Sequence, residues 1–565
     1  MGMDDVHGLD WIDWLVVVLY LAIIGAVAWR VGRKHRRPRE QPADGIHSDE
    51  QNAQAEEDYA LAGRSIPAWA AAVSFMATAL SAATFIGLPN KGYASDLTYL
   101  AANIGSLIAI AIVALVFIPL YYRRRVTTVY GLLRMRFGAG AAWLAGCFFL
   151  LGRLLGSGAR LFIAGGAVAF LINPTSADTF IFMGNVIIID PFVIISIAIS
   201  VMVVLALILV AVGGMRSVIW TDVCQAAVFV LAALVVIGVL LARIPLDLGE
   251  IWTHLGNPGE GEPSKLTLIK PGFASLSPSS NYSLLAIVLG LSLINLGAYG
   301  TDQDMTQRLL TCRDARSGAK SAVMAVLLAI PVTSLFMAVG MLLWFFYGRP
   351  DIMGAAAPQY ETNGSEFIFA VFIASELPSG LGGLLAAGLV AAAVSGLTSE
   401  INAMGTTAMS DCYRPLCPGR SQEHYLTVSK IATFGAGVGL ALTAIICISW
   451  KASGEGDLID FALMVMMFCY SGLVAVFLCA VAHKKRGSNY SAMLALVIGL
   501  LAICGMQFFP LQWFGLNLGL ESVTLGSFLA FPFQMTVATG LAYIVCMLPA
   551  TAPARVAALA QADAV

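Results

Sequence analysis

The sequence predicts an all-α polytopic membrane protein with about 13 transmembrane helices, from its apolar excess, the segmentation of that excess and the placement of basic residues. Hydrophobic residues make up 59% of the 565 positions and charged ones only 12%. A water-soluble chain of this length needs a polar shell that such a composition does not supply. The apolar residues fall in blocks of about 20 or more, long enough to cross a hydrocarbon core of roughly 30 Å at 1.5 Å per residue. In order, the blocks are 11–30, 67–90, 99–121, 141–171, 188–212, 216–242, 282–308, 321–347, 381–411, 424–449, 458–482, 490–508 and 523–548.

Basic residues supply the orientation. Arg30, Arg33, Lys34, Arg36, Arg37 and Arg39 follow the first block, and Arg123, Arg124, Arg125, Arg134 and Arg136 the third. Arg216 follows the fifth, Arg308, Arg313, Arg316 and Lys320 the seventh, Arg414 and Arg420 the ninth, and Lys484, Lys485 and Arg486 the eleventh. Loops after even-numbered blocks, 172–187 among them, are poor in Lys and Arg. The positive-inside rule then puts the N-terminus outside and the C-terminus in the cytoplasm of a plasma-membrane protein. An acidic start (Asp4, Asp5, Asp10) argues against a cleavable leader, so the first block is expected to stay as an anchor.

Between the blocks, 40–58 is polar and acidic and is expected to be a mobile cytoplasmic loop. Segment 243–281 is the longest external loop, and its Pro, Gly and Ser content argues against a separate domain. A short surface helix is expected in 364–380, ending at Glu376-Leu377-Pro378. Ten cysteines without C-x-x-C spacing read as free thiols, Cys147, Cys224, Cys447 and Cys469 inside apolar blocks. The near-zero net charge is no sign of a nucleic-acid partner; the partners expected are the lipid bilayer and a small-molecule solute. The six histidines are scattered, and no metal cluster or nucleophile elbow suggests an enzyme.

Polar and helix-breaking residues inside spans carry the functional information, because irregular backbone at membrane depth is tolerated only along a cavity. The second block reads F-M-A-T-A-L-S-A-A-T-F-I-G-L-P (75–89): Thr78, Ser81 and Thr84 interrupt it and Gly87-Leu88-Pro89 ends it. The seventh reads L-I-N-L-G-A-Y-G-T-D-Q-D (293–304), with Asn295, Gly297 and Gly300 mid-span. These blocks open two five-helix groups, 67–242 and 282–482, flanked by 1–66, the loop 243–281 and accessory helices in 483–565. An odd helix count gives the two groups opposite topology, the signature of an inverted repeat with a midplane site. The competing reading is that Gly and Ser only let helices pack closely.

Three charged or hydroxyl features follow the same logic. Ser395, Thr398 and Ser399, at i, i+3 and i+4 of A-A-A-V-S-G-L-T-S-E-I-N (391–402), share a helix face and offer oxygens to a hard cation. Each hydroxyl could equally bond back to the preceding turn. Asp222, in W-T-D-V-C-Q of the sixth block, costs a few kcal/mol in a bilayer unless paired, so it faces an ion or cavity or pairs with Arg216. Arg153 and Arg160, seven apart on one face of the fourth block, either hold an anionic group or form structural pairs.

Seven segments in order resemble the sodium:solute symporter family: Y-A-L-A-G-R-S-I-P-A-W (59–69), S-A-A-T-F-I-G-L-P (81–89), T-V-Y-G-L-L-R-M-R-F-G (128–138), S-G-A-R-L-F (157–162), G-G-M-R-S-V-I-W-T-D-V-C-Q (213–225), G-T-D-Q-D-M-T-Q-R (300–308) and L-P-S-G-L-G-G-L-L-A-A-G-L-V-A-A-A-V-S-G-L-T-S-E-I-N (377–402) with D-C-Y-R (411–414). The resemblance runs from about 59 to 482 and implies a LeuT-type 5+5 inverted repeat working by alternating access. It implies a common sodium site from the carbonyls of Ala77 and Leu80 with Ala392 and Ser395; Gly396 stands where the family usually has a hydroxyl. A second site, resembling that of some sialic-acid symporters, maps to Asp222, Ser395, Thr398 and Ser399. Solute-site positions map to Thr84, Arg160, Asn295 and Tyr299, with Ala298 where sugar symporters carry a gating tyrosine. Arg160 resembles a carboxylate-binding position, so the expected solute is a small organic molecule, an organic anion among the candidates, with sodium the co-transported ion. Proton coupling through Asp222 is the alternative, solute sensing a remoter one, and a monomer or weak homo-oligomer is expected.

Overall fold

The computed structural model describes residues 9–33, 61–126, 128–172, 179–182, 185–188, 190–212, 215–259, 261–270, 281–358, 367–452, 458–483, 485–509 and 524–549. The expected loop 40–58 and the acidic Asp4 and Asp5 lie outside them. Among the described residues, eleven helices are long and apolar enough to cross a bilayer. They are the first span (Trp11–Arg33), third (Thr98–Arg123), fourth (Ala139–Ile172), fifth (Pro191–Val212), sixth (Met215–Arg243), seventh (Leu284–Thr301), eighth (Ala315–Gly348), ninth (Leu381–Leu416), tenth (Gln422–Ala452), eleventh (Leu458–Ala482) and twelfth (Asn489–Phe508). The second span is a pair of half-helices, Ala68–Ala79 and Ala82–Ala94, bent by 62°. The expected last span is a 17-residue apolar helix, Phe531–Met547. At 1.5 Å per residue it covers roughly 25 Å, a little short of the hydrocarbon core.

Solvation explains the layering. Leu15, Val18, Leu19 and Ile23 of the first span, Ile197, Val201, Val204 and Ile208 of the fifth, and Phe434, Leu442 and Ile446 of the tenth are exposed. Rows of exposed aliphatics of this size suit lipid and not water. The fourth, ninth and eleventh spans are the most enclosed, and the polar side chains collect between them.

The helix breaks stand slightly away from where the sequence suggests. In the second span the backbone leaves the helix at Leu80 (ψ 74°) and Ser81 (ψ 179°), then runs through Gly87-Leu88-Pro89 to Ala94. The expected stop at Pro89 does not occur. Its second half, Ala82–Ala94, instead lies backbone to backbone on the eighth span: a Cβ at Gly340 would collide with the Pro89 carbonyl, and one at Gly92 with the Met337 carbonyl. In the seventh span, π-turns at Ile287–Leu291 and Gly297–Thr301 precede an extended Asp302 and a short helix, Gln303–Leu310. The carbonyls freed there are taken up by tyrosines, Tyr121 Oη donating to Gly300 O at 2.6 Å and Tyr130 Oη to Thr301 O at 3.1 Å.

Two further expectations need correcting. The helix Ile368–Ser375 is buried and not on the surface, because Ile368–Ile373 is apolar on every side. Arg308 and Arg136, read as loop charges, are 0% and 3% exposed. Arg136 donates to the carbonyls of His483 and Arg486, while Arg308 enters the site described below. A two-stranded hairpin, Thr179–Phe182 with Asn185–Ile188, occupies the loop after the fourth span.

At one end of the bundle, charged and aromatic groups tie four spans together. Lys91 Nζ of the second span stands 3.3 Å from the Asp460 carboxylate at the start of the eleventh. Tyr282 and Asn281, at the start of the seventh, donate to the same carboxylate. Lys91 also lies 4.8 Å from the Tyr282 ring centre, and Tyr99 packs edge-on against that ring. Asp460→Asn is expected to loosen this end. A cysteine placed at Thr84 would then react several-fold faster with an impermeant thiol reagent supplied from that side, above the background of native cysteines. Unchanged labelling would deny the cluster a closing role.

Candidate ion and solute site

Asp222 is the centre of the site. It lies about two turns into the sixth span and is 3% exposed. Ser395 Oγ of the ninth span donates to its Oδ1 at 2.7 Å, and Ser74 Oγ of the second to its Oδ2 at 2.6 Å. One carboxylate therefore joins three spans, including both halves of the sequence. Arg216 does not pair with it but donates to Ala62 O and Ser65 Oγ near the surface.

The positive partner comes from Arg308. Its Nη1 donates to Asp304 O at 2.9 Å and Asp304 Oδ1 at 2.6 Å; its Nη2 donates to Ser399 Oγ at 2.7 Å and lies 3.4 Å from Asp222 Oδ2. Ser399 in turn donates to Asp304. Asp304 leads on to Arg153, whose guanidinium is shared by Asp302 (2.5 Å), Asp304 (3.3 Å) and Glu400 (3.0 Å). Glu400 also holds Arg160 at 3.2 Å, and Tyr470 Oη caps Asp302 at 2.8 Å. The connected network thus sets the carboxylates of Asp222, Asp302, Asp304 and Glu400 against the guanidiniums of Arg153, Arg160 and Arg308. With all seven groups ionised it carries one negative charge in excess. A buried excess charge of this kind attracts a cation.

A cavity of about 180 Å³ adjoins the network. Thr84, Arg160, Asn295 and Tyr299, singled out from the sequence, all line it, together with Asn103, Ser106 and Arg153. Tyr299 packs 5.3 Å from the Phe75 ring, with its hydroxyl 3.5 Å from Ser106 Oγ. Leu80, at the break of the second span, lines the same cavity. A helix that stops at Ala79 leaves its last-turn carbonyls, Ala77 among them, without intrahelical donors.

The sequence-level candidates therefore divide. Asp222, Ser395 and Ser399 come together, the last through Arg308. Thr398 Oγ1 instead donates to Val394 O at 2.7 Å, and the residue lines a small second cavity together with Ser395, Thr221 and Gln225. Ala392 lies on the same ninth-span helix, one turn before Ser395. Arg153 resolves as a structural pair, and Arg160 already holds a carboxylate of the protein itself. Ser74, Arg308, Asp302, Asp304, Glu400 and Tyr470 had escaped notice. The segment G-T-D-Q-D-M-T-Q-R held a usable signal, since two acids and an arginine at i, i+2 and i+6 sit beside a broken helix.

Broken spans meeting at polar groups in the bundle interior, beside a small cavity, define a membrane transporter and not an enzyme. The profile of the sodium:solute symporter family matches residues 59–499, so the chain belongs to that family of sodium-coupled solute symporters. It is similar to the sodium/sialic acid symporter SiaT of Proteus mirabilis, with 27% identity over 458 residues, 80% of this chain and 84% of the relative. Similarity also extends to the sodium/glucose cotransporter of Vibrio parahaemolyticus, 25% identical over 517 residues, covering 90% and 87% of the two chains. A solved structure of a sodium-coupled sialic acid symporter, in a substrate-bound outward-open state, superposes with a TM-score of 0.73. The match covers 96% of this chain and 99% of that one at 22% identity, and it shows a shared LeuT-type fold.

Proposed function

We propose that the chain drives uptake of a small organic anion with sodium, by alternating access. Sodium is held by Asp222, Ser395 and Ser399, with Thr398 joining only after its hydroxyl leaves Val394. A further sodium position is formed by the carbonyls of Ala77, Leu80 and Ala392 with Ser395. The solute occupies the cavity beside Thr84, Asn295 and Tyr299, its carboxylate meeting Arg160. The observation that carries the reading is the 2.7 Å hydrogen bond from Ser395 to Asp222, which brings the sixth-span carboxylate to the hydroxyl face of the ninth span. The similarity to sodium/sialic acid symporters, whose cargo is an acid, supports the anion.

The membrane potential then contributes about 2.3 kcal/mol per charge per 100 mV to each sodium carried. The test is uptake into proteoliposomes across sugars, amino acids and organic acids, with sodium or choline outside. Accumulation of an organic acid in sodium alone is the expected result; equal uptake in choline rejects the coupling. The missing hydroxyl at position 396 gives a second test. A Cβ there meets no atom within 4 Å, so Gly396→Ser fits. One added oxygen ligand worth about 1 kcal/mol lowers the sodium needed for half-maximal uptake by roughly fivefold.

A further inference from the structure

Arg308 stands where the sodium reading, on which this inference rests, wants the ion. Its side chain is 0% exposed, and its Nη2 lies between two oxygens assigned to sodium, 2.7 Å from Ser399 Oγ and 3.4 Å from Asp222 Oδ2. Nη1 makes a separate attachment, to the carbonyl and carboxylate of Asp304 at 2.9 and 2.6 Å. Nε reaches Ser74 Oγ at 3.2 Å, and Ser74 donates to Asp222. The guanidinium is thus anchored at one nitrogen and inserted into the ion position with another.

We propose that Arg308 is a tethered cation that exchanges with sodium at Asp222. When sodium binds, Nη2 withdraws from Asp222 and Ser399 while Nη1 remains on Asp304. When sodium leaves, Nη2 returns. The physical need is plain: a buried carboxylate abandoned by its ion is costly, and an internal cation relieves that cost without any ion from solution. The empty carrier can then reorient with Ser74, Asp222 and Ser395 still joined. A fixed point charge would serve less well than a planar guanidinium, which can keep one edge bonded while the other swings.

The test uses the full-length protein in detergent, with thermal stabilisation by sodium read against equal choline. Arg308→Gln removes the competitor, and the sodium concentration for half-maximal stabilisation is expected to fall by roughly tenfold, within the range of ordinary coupling between ligands. Arg308→Lys keeps the charge for Asp304 but withdraws it from Asp222, so a smaller shift in the same direction is expected; this variant also serves if the glutamine form does not fold. In proteoliposomes, sodium-loaded exchange of solute should persist in Arg308→Gln while net uptake slows, because the empty carrier lacks its substitute ion. A sodium half-point unchanged or raised in the folded variants overturns the exchange. Asp222→Asn, run alongside, separates the two ideas: if its sodium stabilisation equals that of the unaltered protein, the ion position itself is wrong and the exchange falls with it.

Discussion

Arg153→Met is expected to lower the thermal midpoint of the purified protein more than any other substitution at the site. The guanidinium is 3% exposed and pairs with Asp302, Asp304 and Glu400 together. Removing one partner of a buried ion pair costs about 3–5 kcal/mol, because the remaining charge is stranded without water. Here three carboxylates are affected, and Arg308 and Arg160 can compensate only Asp304 and Glu400. Adding Glu400→Gln to the variant removes one stranded charge and should recover part of the loss. A variant as stable as the unaltered protein would show that these carboxylates are not held as anions.

The second large effect is expected from Asp222→Asn, in sodium response and not in solute recognition. The side chain keeps its shape and can still meet Ser74 and Ser395, while the charge that draws the ion is gone. A buried charge interaction worth about 3 kcal/mol corresponds to roughly a hundredfold rise in the sodium concentration at half-maximal uptake. Solute affinity at saturating sodium should change little, since Asp222 does not line the solute cavity. Sodium titrations of uptake at fixed solute measure the first quantity, and solute titrations at high sodium the second. A solute affinity that falls as steeply as the sodium response would assign Asp222 to the solute.

How much of this could be read from the chain depends on the range of each interaction. Spans were legible because twenty-odd apolar residues in a row leave few alternatives, and the hydroxyl face of the ninth span because helical spacing is local. Spacing could not decide what each hydroxyl bonds: Ser395 reaches across 173 residues to Asp222, whereas Thr398 folds back onto Val394 four residues away. Arg308 was read as a cytoplasmic charge because Arg313 and Arg316 follow it, and composition does not distinguish an arginine at the last turn of a buried helix from one in the next loop. Glu400 was hidden beside Ser399, and Ser74 looked like any small residue of an apolar helix. Pairings of this kind exist only after the second, fourth, sixth, seventh and ninth spans have met.

The near-contact of Gly92 with Met337 and of Gly340 with Pro89 constrains how the carrier can move. Two backbones with no side chain between them cannot slide past one another without collision, so the far portion of the broken helix travels with its neighbour as one rigid piece. If the carrier alternates as proposed, the break at Leu80 and Ser81 is the expected pivot, with the shorter arm that bears Ser74 as the part that swings.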